Sequence, residues 1–97
     1  MQFFKKIVRF EWDFGNKDKN WKKHRVANLE AEEVFFDPHK RIYQAKREQG
    51  EDRILLIGKT IDGRLLFVVF TIRQNLVRVI SARDLNRRET KLYEKKD

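Results

Sequence analysis

Leu65-Leu66-Phe67-Val68-Val69-Phe70 is the longest unbroken apolar run in this sequence of 97 residues. Because both alternating faces of the run are apolar, it predicts a central strand with cover on each side of the sheet. Turn residues flank it, with Asp62-Gly63 before and Arg73-Gln74-Asn75 after. Connections this short force antiparallel pairing with the neighbouring apolar segments. The sequence therefore predicts a meander of three strands at 53–57, 64–71 and 76–82.

Two short helices are expected upstream of the meander. Phe4 to Trp12 alternates like a strand, and Asn16 is then the expected N-cap of a helix over 17–24. Asn28 is the expected N-cap of a second helix, which Asp37-Pro38 ends. This order of elements predicts an α+β fold.

The remaining segments complete that fold. A short edge strand over 41–45 should lead into a turn at Gln49-Gly50, and 84–95 should form a C-terminal helix. One stripe of this helix holds Leu85, Glu89, Leu92 and Tyr93.

The chain is short and strongly basic. At this length we expect a single domain over 1–97, which excludes a two-domain enzyme. The formal net charge of +8 predicts a polyanion or an acidic protein as partner. Both ends of the sequence are basic, so they would form one cationic surface if they meet, or two solvated faces if they do not.

Membrane, metal and cofactor chemistry are not expected. The apolar run is far shorter than the roughly 20 residues of a membrane-spanning helix, and Phe3-Phe4 before Lys5-Lys6 reverses the order of a signal peptide. The chain has no cysteine and only two histidines, so a zinc site is not supported. Four acidic residues could attract Mg²⁺, but helix-start charges and a helix-ending Asp-Pro explain them more simply: Glu30, Glu32, Glu33 and Asp37. We expect a cytoplasmic protein without metal or cofactor.

Cationic and aromatic side chains remain as the candidates for a binding surface. The cations at or near strand ends are Arg53, Lys59, Arg64, Arg78 and Arg83. The rings available elsewhere are Trp12, Phe14, Trp21 and Tyr93. Arginine forks bind phosphates and aromatic rings stack on unpaired bases, so such a sheet could hold single-stranded RNA. The RNA-binding candidates are Lys59, Arg53, Trp12 and Tyr93. The alternative is that the aromatic rings fill the core.

Short motifs cover almost the whole chain in a fixed order. The first half contains Phe10-Glu11-Trp12-Asp13, Lys17, Asn20, Lys23-His24 and Glu33-Val34-Phe35-Phe36-Asp37-Pro38. The second half contains Glu51-Asp52-Arg53, Ile57-Gly58, Gly63 to Thr71, Val79-Ile80-Ser81-Ala82-Arg83, Glu89 and Tyr93. From about residue 10 to 93, this set resembles the BrnT toxins of bacterial toxin-antitoxin modules.

The resemblance implies a RelE-like fold and a ribonuclease activity that arrests translation. It also implies neutralisation by a BrnA-type antitoxin, whose DNA-binding module would bring the pair to operator DNA. Two departures stand out, because the family usually has glycine where this chain has Arg25, and Ser-Phe where it has Ala27-Asn28. The first affects the exit from helix one, since glycine adopts positive φ more cheaply than arginine.

A metal-free ribonuclease of this kind must stabilise charge on the phosphate and move two protons. Arg64, Arg78 and Arg83 are the candidates for the first task, and the alternative is that each serves as a surface salt-bridge partner or antitoxin anchor. His24, Glu51 and Glu89 are the candidates for proton transfer.

Two of these proton-transfer candidates have an alternative role. His24 could simply close helix one. Glu89 could have a raised pKa from partial burial, or a lowered pKa from a salt bridge with Arg53 or Arg83. The sequence thus predicts a metal-independent endoribonuclease toxin. The rival is a non-catalytic basic module that binds nucleic acid or an acidic protein.

Overall fold

The computed structural model describes residues 9–95, apart from the side chain of Ala45. Its helices are α1 (Lys19–His24), α2 (Asn28–Glu33), the single-turn 3-10 helix Val34–Phe36 and α3 (Arg87–Glu94). Its strands are β1 (Arg41–Glu48), β2 (Glu51–Lys59), β3 (Leu65–Arg73) and β4 (Leu76–Asp84). They pair antiparallel in the order β1-β2-β3-β4, so the predicted α+β meander is confirmed.

The predicted first strand lies largely outside the described residues. Within them, Phe10 forms a parallel bridge to Val77 of β4, on the side of β4 that faces away from β3. The backbone N–H of Glu11 donates to the Val77 carbonyl at 2.8 Å, and the Val77 N–H donates to the Arg9 carbonyl at 2.8 Å. Residues 9–11 are therefore fastened to β4.

The core lies between one face of the sheet and the α1–α2 region. Phe35 stacks edge-on against Phe70 of β3, with ring centroids 4.9 Å apart, and against Phe10 at 5.1 Å. The other buried apolar side chains include Val26, Ala31, Val34, Leu56, Leu66, Val68 and Val79. This arrangement explains why one half of the central apolar run is buried.

The two faces of β3 are covered unequally by the residues that the structure describes. Leu66, Val68 and Phe70 are fully buried, but Phe67 and Val69 on the opposite face remain partly exposed. α3 covers only one end of that opposite face, where its residue Glu89 pairs with Arg83. We call the face that carries Leu55, Phe67 and Val69 the open face.

The α-helices α1, α2 and α3 differ from the sequence prediction in their first residue or in their N-cap residue. Asn16 does not cap α1, because its side-chain amide is buried and donates to the carbonyls of Glu11 at 3.0 Å and Val79 at 3.1 Å. Asp18 occupies the N-cap position instead, with φ of 64°. Ala27 rather than Asn28 is the N-cap of α2. α3 starts at Arg87 rather than at 84, and the Asn86 side chain accepts the Glu89 N–H at 2.8 Å.

Arg25 ends α1 in the left-handed conformation, with φ of 56°. A glycine would adopt this backbone more cheaply. The Arg25 guanidinium lies over the Trp21 ring at 5.4 Å from its centroid. α1 therefore ends with a left-handed residue, as many helices do, although this residue is an arginine and not a glycine.

Arg64 ties α1, α2 and β4 together. Its guanidinium donates to the Arg25 carbonyl at 2.8 Å, to Glu30 Oε1 at 3.0 Å and to Asp84 Oδ1 at 2.7 Å. The hydrogen bond to Asp84, followed by that to Glu30, raises the pKa of Arg64. This predicted catalytic residue thus closes the end of α1 and joins three elements.

Replacing Arg64 by alanine should lower the free energy of unfolding by about 2 kcal/mol, because two carboxylates and a helix-end carbonyl lose their donor. Arg64→Lys should recover only part of this, since an ammonium lacks the planar fork. Urea unfolding measures the change. Arg47→Ala is the matched control, because Arg47 pairs with Asp52 while 66% exposed and should cost about 0 to 1 kcal/mol. Equal losses for the two variants would contradict the tying role.

Candidate active site

A cleft of about 260 Å³ opens at the end of the open face where the β1–β2 and β3–β4 hairpins turn. Its charged lining consists of Lys19, Glu51, Arg53, Arg73 and Arg78. We call this group the basic cleft. Four cations and one carboxylate thus line the cleft, and Glu48, Glu11 and Asp13 pair with two of these cations from outside the lining. An oxyanion ligand would bind here by replacing some of these carboxylates.

Strand alternation brings these side chains together. Glu51, Arg53 and Leu55 lie at every second position of β2 and therefore share one face. On β3 the same face carries Val69, which pairs with Leu55. Arg73 follows Val69 at the period of the strand, so it also projects from this face.

The cleft continues into a wider depression of about 650 Å³ along the sheet. Its floor is apolar and includes Leu55, Val69 and Ile80. Arg53 and Ile80 line both cavities, so the two are contiguous. The open face thus offers a groove with a charged end and an apolar floor.

Glu51 is held by a short ion pair. Arg73 Nε donates to its Oε1 at 2.5 Å, and this hydrogen bond lowers the pKa of Glu51. The charges of Arg73, Arg53 and Arg78 also lower this pKa, against the opposing effect of burial. Glu51 is therefore an oriented carboxylate that stays ionised at neutral pH.

The Arg78 guanidinium is bound as a fork by one carboxylate. Its Nη1 and Nη2 donate to Asp13 Oδ2 at 2.8 Å and Oδ1 at 3.0 Å, and Nη1 also reaches Glu11 at 3.3 Å. The hydrogen bonds to Asp13 raise the pKa of Arg78. Asp13 is half exposed and belongs to a surface turn. A planar oxyanion thus already occupies the position that a phosphate could take.

Arg53 is the least engaged arginine of the cleft. Its Nη1 lies 3.2 Å from Glu48 Oε2. Its Nε is buried and has no hydrogen-bond partner among the residues that the structure describes. A buried donor without a partner is costly, so an incoming acceptor would gain affinity there.

Arg83, a predicted catalytic residue, lies at the other end of the open face with another candidate, Glu89. Its guanidinium binds the Glu89 carboxylate in a fork at 2.8 Å and 2.9 Å and covers the Phe67 ring at 4.1 Å. The hydrogen bond from Arg83 lowers the pKa of Glu89, so the raised-pKa interpretation is wrong. Arg83 lies five positions after Arg78 on β4, which is about 16 Å along an extended strand.

His24, the third predicted proton-transfer residue, lies at the end of α1. Its backbone carbonyl accepts from Arg64 Nη2 at 3.4 Å. The same guanidinium pairs with Asp84, which lies six positions after Arg78 at the end of β4. The structure therefore brings together Glu51 and Arg78 but places the other four catalytic candidates outside the basic cleft.

Of the predicted RNA-binding residues, only Arg53 lines the basic cleft. The Trp12 indole donates to Glu32 at 2.7 Å and its ring packs against the core. The Tyr93 hydroxyl donates to Asp37 at 2.6 Å, and the Lys59 ammonium lies 5.9 Å from the centroid of the Tyr93 ring. These three residues are occupied by contacts within the fold.

Arg73 and Lys19 are two residues of the site that the sequence does not predict. Arg73 falls in a predicted turn, although its even spacing from Val69 and Thr71 on β3 would place it on the same face. Lys19 reaches the cleft because α1 packs on β4, where the Lys19 ammonium lies 3.5 Å from the Ile80 carbonyl. No local signal in the sequence predicts that contact.

Within residues 9–95 the structure contains no group of three or more histidine or acidic side chains arranged to hold a metal ion. None of the helices in this part of the chain has the length and apolar character needed to cross a bilayer.

Comparison with known proteins adds a finding that is independent of this geometry. Residues 12–89 match the model of a family described as "Ribonuclease toxin, BrnT, of type II toxin-antitoxin system". Among curated proteins, none matches the chain. The matched range includes every charged residue of the basic cleft.

Proposed function

The chain belongs to the BrnT family of ribonuclease toxins of type II toxin-antitoxin systems, and on this premise we propose that it is a metal-independent endoribonuclease whose active site is the basic cleft. The observation that carries the proposal is the ionised Glu51 within a ring of fixed cations. We further propose a RelE-like fold, a single domain over 1–97, and action in the cytoplasm, where RNA cleavage arrests translation.

In the proposed mechanism, the substrate's own 2′-hydroxyl is the nucleophile. Glu51 accepts the proton of that hydroxyl while its oxygen bonds to the adjacent phosphorus. The bond from phosphorus to the 5′-oxygen breaks, and the Lys19 ammonium gives this oxygen a proton. The products are a 2′,3′-cyclic phosphate and a free 5′-hydroxyl.

The arginines of the basic cleft stabilise the charge that develops on the phosphate oxygens. Arg53 supplies its partly unoccupied fork, and Arg78 exchanges the exposed Asp13 carboxylate for phosphate. A phosphate can take the place of Asp13 because it binds the same guanidinium fork with two oxygens, while the half-exposed Asp13 carboxylate returns to water. Arg73 positions Glu51 and keeps it ionised.

The partner of a type II toxin is an antitoxin, and we propose that it is of BrnA type. A toxin with a net charge of +8 is complementary to an acidic or amphipathic antitoxin segment. We propose that this segment covers the basic cleft. The antitoxin then inhibits cleavage, because one surface cannot hold both RNA and the antitoxin. Operator DNA would be bound through the antitoxin's DNA-binding module.

RNA cleavage by the purified protein should persist in EDTA and leave 2′,3′-cyclic phosphate or 3′-phosphate ends, because only side chains and the 2′-hydroxyl carry the reaction. End-group analysis of a labelled oligoribonucleotide measures this. Glu51→Gln is the matched control against a contaminating nuclease, since it keeps the size of the side chain and removes the proton acceptor. Complete loss in chelator with rescue by Mg²⁺ would overturn the mechanism. Binding of RNA without any cleavage would favour a non-catalytic basic module.

A further inference from the structure

Phe14 projects entirely into solvent, with a relative exposure of 104%. Its turn is nevertheless fixed to the fold by hydrogen bonds. The Asp13 carboxylate accepts the Gly15 N–H at 2.8 Å, and the buried Asn16 amide fastens the turn to the Val79 carbonyl at 3.1 Å. An apolar ring is thus held in water on a fixed support, where its exposure is unfavourable in the free protein.

The ring lies beside the basic cleft. Gly15, the next residue, lines the cleft, and a Cβ placed on it would lie 2.7 Å from Arg78 Nη2. Asp13, the preceding residue, holds the Arg78 fork. Lys17 and Lys19 follow on the exposed side of the same segment. Phe14 therefore stands at the rim of the cleft among cations.

We propose that Phe14 is a stacking platform for an unpaired base of the RNA whose phosphate enters the basic cleft. The inference rests on the proposed function and extends it to substrate class, namely single-stranded RNA. An exposed ring next to phosphate-binding cations is the combination by which proteins hold single strands. Bases within a duplex are already stacked on both sides, so a duplex presents no free base face on which the Phe14 ring could stack.

A docked protein fits the same ring less well. Aromatic anchors of protein interfaces are enclosed by a dry, contiguous contact area. Phe14 is instead followed and preceded by small or polar residues, Asp13, Gly15, Asn16 and Lys17. The chemistry of its surroundings therefore favours a nucleotide.

The test measures binding of a 2′-O-methylated RNA, which cannot be cleaved, as a single strand and as a duplex of the same sequence. Phe14→Ala should weaken single-strand binding by about 10-fold and leave duplex binding unchanged, whereas Phe14→Trp should retain the affinity. Phe36→Ala is the matched control, because Phe36 is also exposed, at 61%, but belongs to the 3-10 helix. It should leave both affinities unchanged. Thermal unfolding confirms that each variant folds.

Equal losses on both RNAs, or no loss on either, would overturn the stacking role. A loss of antitoxin affinity with RNA affinity unchanged would overturn it in favour of a protein anchor. Wild-type protein that binds single strands through Phe14 but never cleaves unmodified RNA would support the inference and refute the proposed catalysis. Cleavage that is intact in Phe14→Ala, with unchanged binding, would leave the proposed function and remove only this inference.

Discussion

Replacing Arg53 by alanine should reduce the rate of RNA cleavage by about 10² to 10³, the effect typical of removing one fixed group that stabilises transition-state charge. Arg53 lies where the basic cleft meets the apolar groove and has a buried Nε without a partner among the described residues. The rate should therefore fall far more than RNA affinity, because the phosphate gains its extra charge only in the transition state. Single-turnover cleavage together with a binding isotherm measures both quantities.

Two variants sharpen this result. Arg53→Lys should recover part of the rate, since it restores the charge without the planar fork. Arg83→Ala is the matched arginine at the far end of the open face and should leave the cleavage rate within a few-fold of wild type. If Arg83→Ala were the more damaging substitution, the active site would lie at the α3 end of the sheet. If rate and affinity fell together in Arg53→Ala, Arg53 would only position the RNA.

The meander was predictable because its signals are local. Alternating apolar residues and short turns decide which strands pair, and neither depends on distant parts of the chain. The helix starts were wrong because tertiary contacts override capping propensity. Asparagine is a favoured N-cap residue, yet the Asn16 amide is buried and donates a hydrogen bond to the Val79 carbonyl instead.

The membership of the site was harder to predict than its chemistry. Arg53, Glu51 and Arg78 were all candidates, but the sequence offered no reason to separate them from Arg83 and Glu89. That separation follows from the strand register. It also depends on the shift in the pairing of β3 with β4, which falls between Val69 and Phe70 of β3. The pKa of Glu89 shows the same limit, because burial and an ion pair shift it in opposite directions, and only the geometry identifies Arg83 as the partner.

Asp37 is the second position where a large effect is expected, in this case on stability. Its carboxylate accepts the Lys59 N–H at 2.8 Å, the His39 N–H at 2.9 Å and the Tyr93 hydroxyl at 2.6 Å. It thereby joins the end of the 3-10 helix to β2 and to α3. Only 8% of the residue is exposed, so water cannot replace these contacts well.

Asp37→Ala should lower the free energy of unfolding by about 4 kcal/mol, because three donors lose a charged acceptor. Asp37→Asn should cost about half as much, since one oxygen acceptor remains, and Tyr93→Phe should cost about 1 to 2 kcal/mol. The exposed Asp52→Ala is the matched control, with an expected cost of about 0 to 1 kcal/mol. Chemical unfolding monitored by tryptophan fluorescence measures all four. A cost for Asp37→Ala no larger than for Asp52→Ala would refute the joining role.

The pH dependence of the same variants tests the charge of Asp37. Burial opposes its ionisation, but the hydrogen bonds from Tyr93, His39 and Lys59 outweigh that effect and lower the pKa of Asp37 below its ordinary value of 3.8. A carboxylate with a lowered folded-state pKa stabilises the protein fully above its unfolded-state pKa, and this contribution is lost as pH falls through the folded-state value. The stability difference between wild type and Asp37→Asn should therefore be constant from pH 7 to 5 and shrink below about pH 4. A difference that stays constant down to pH 2 would show that Asp37 acts through the shape of its hydrogen bonds and not through its charge.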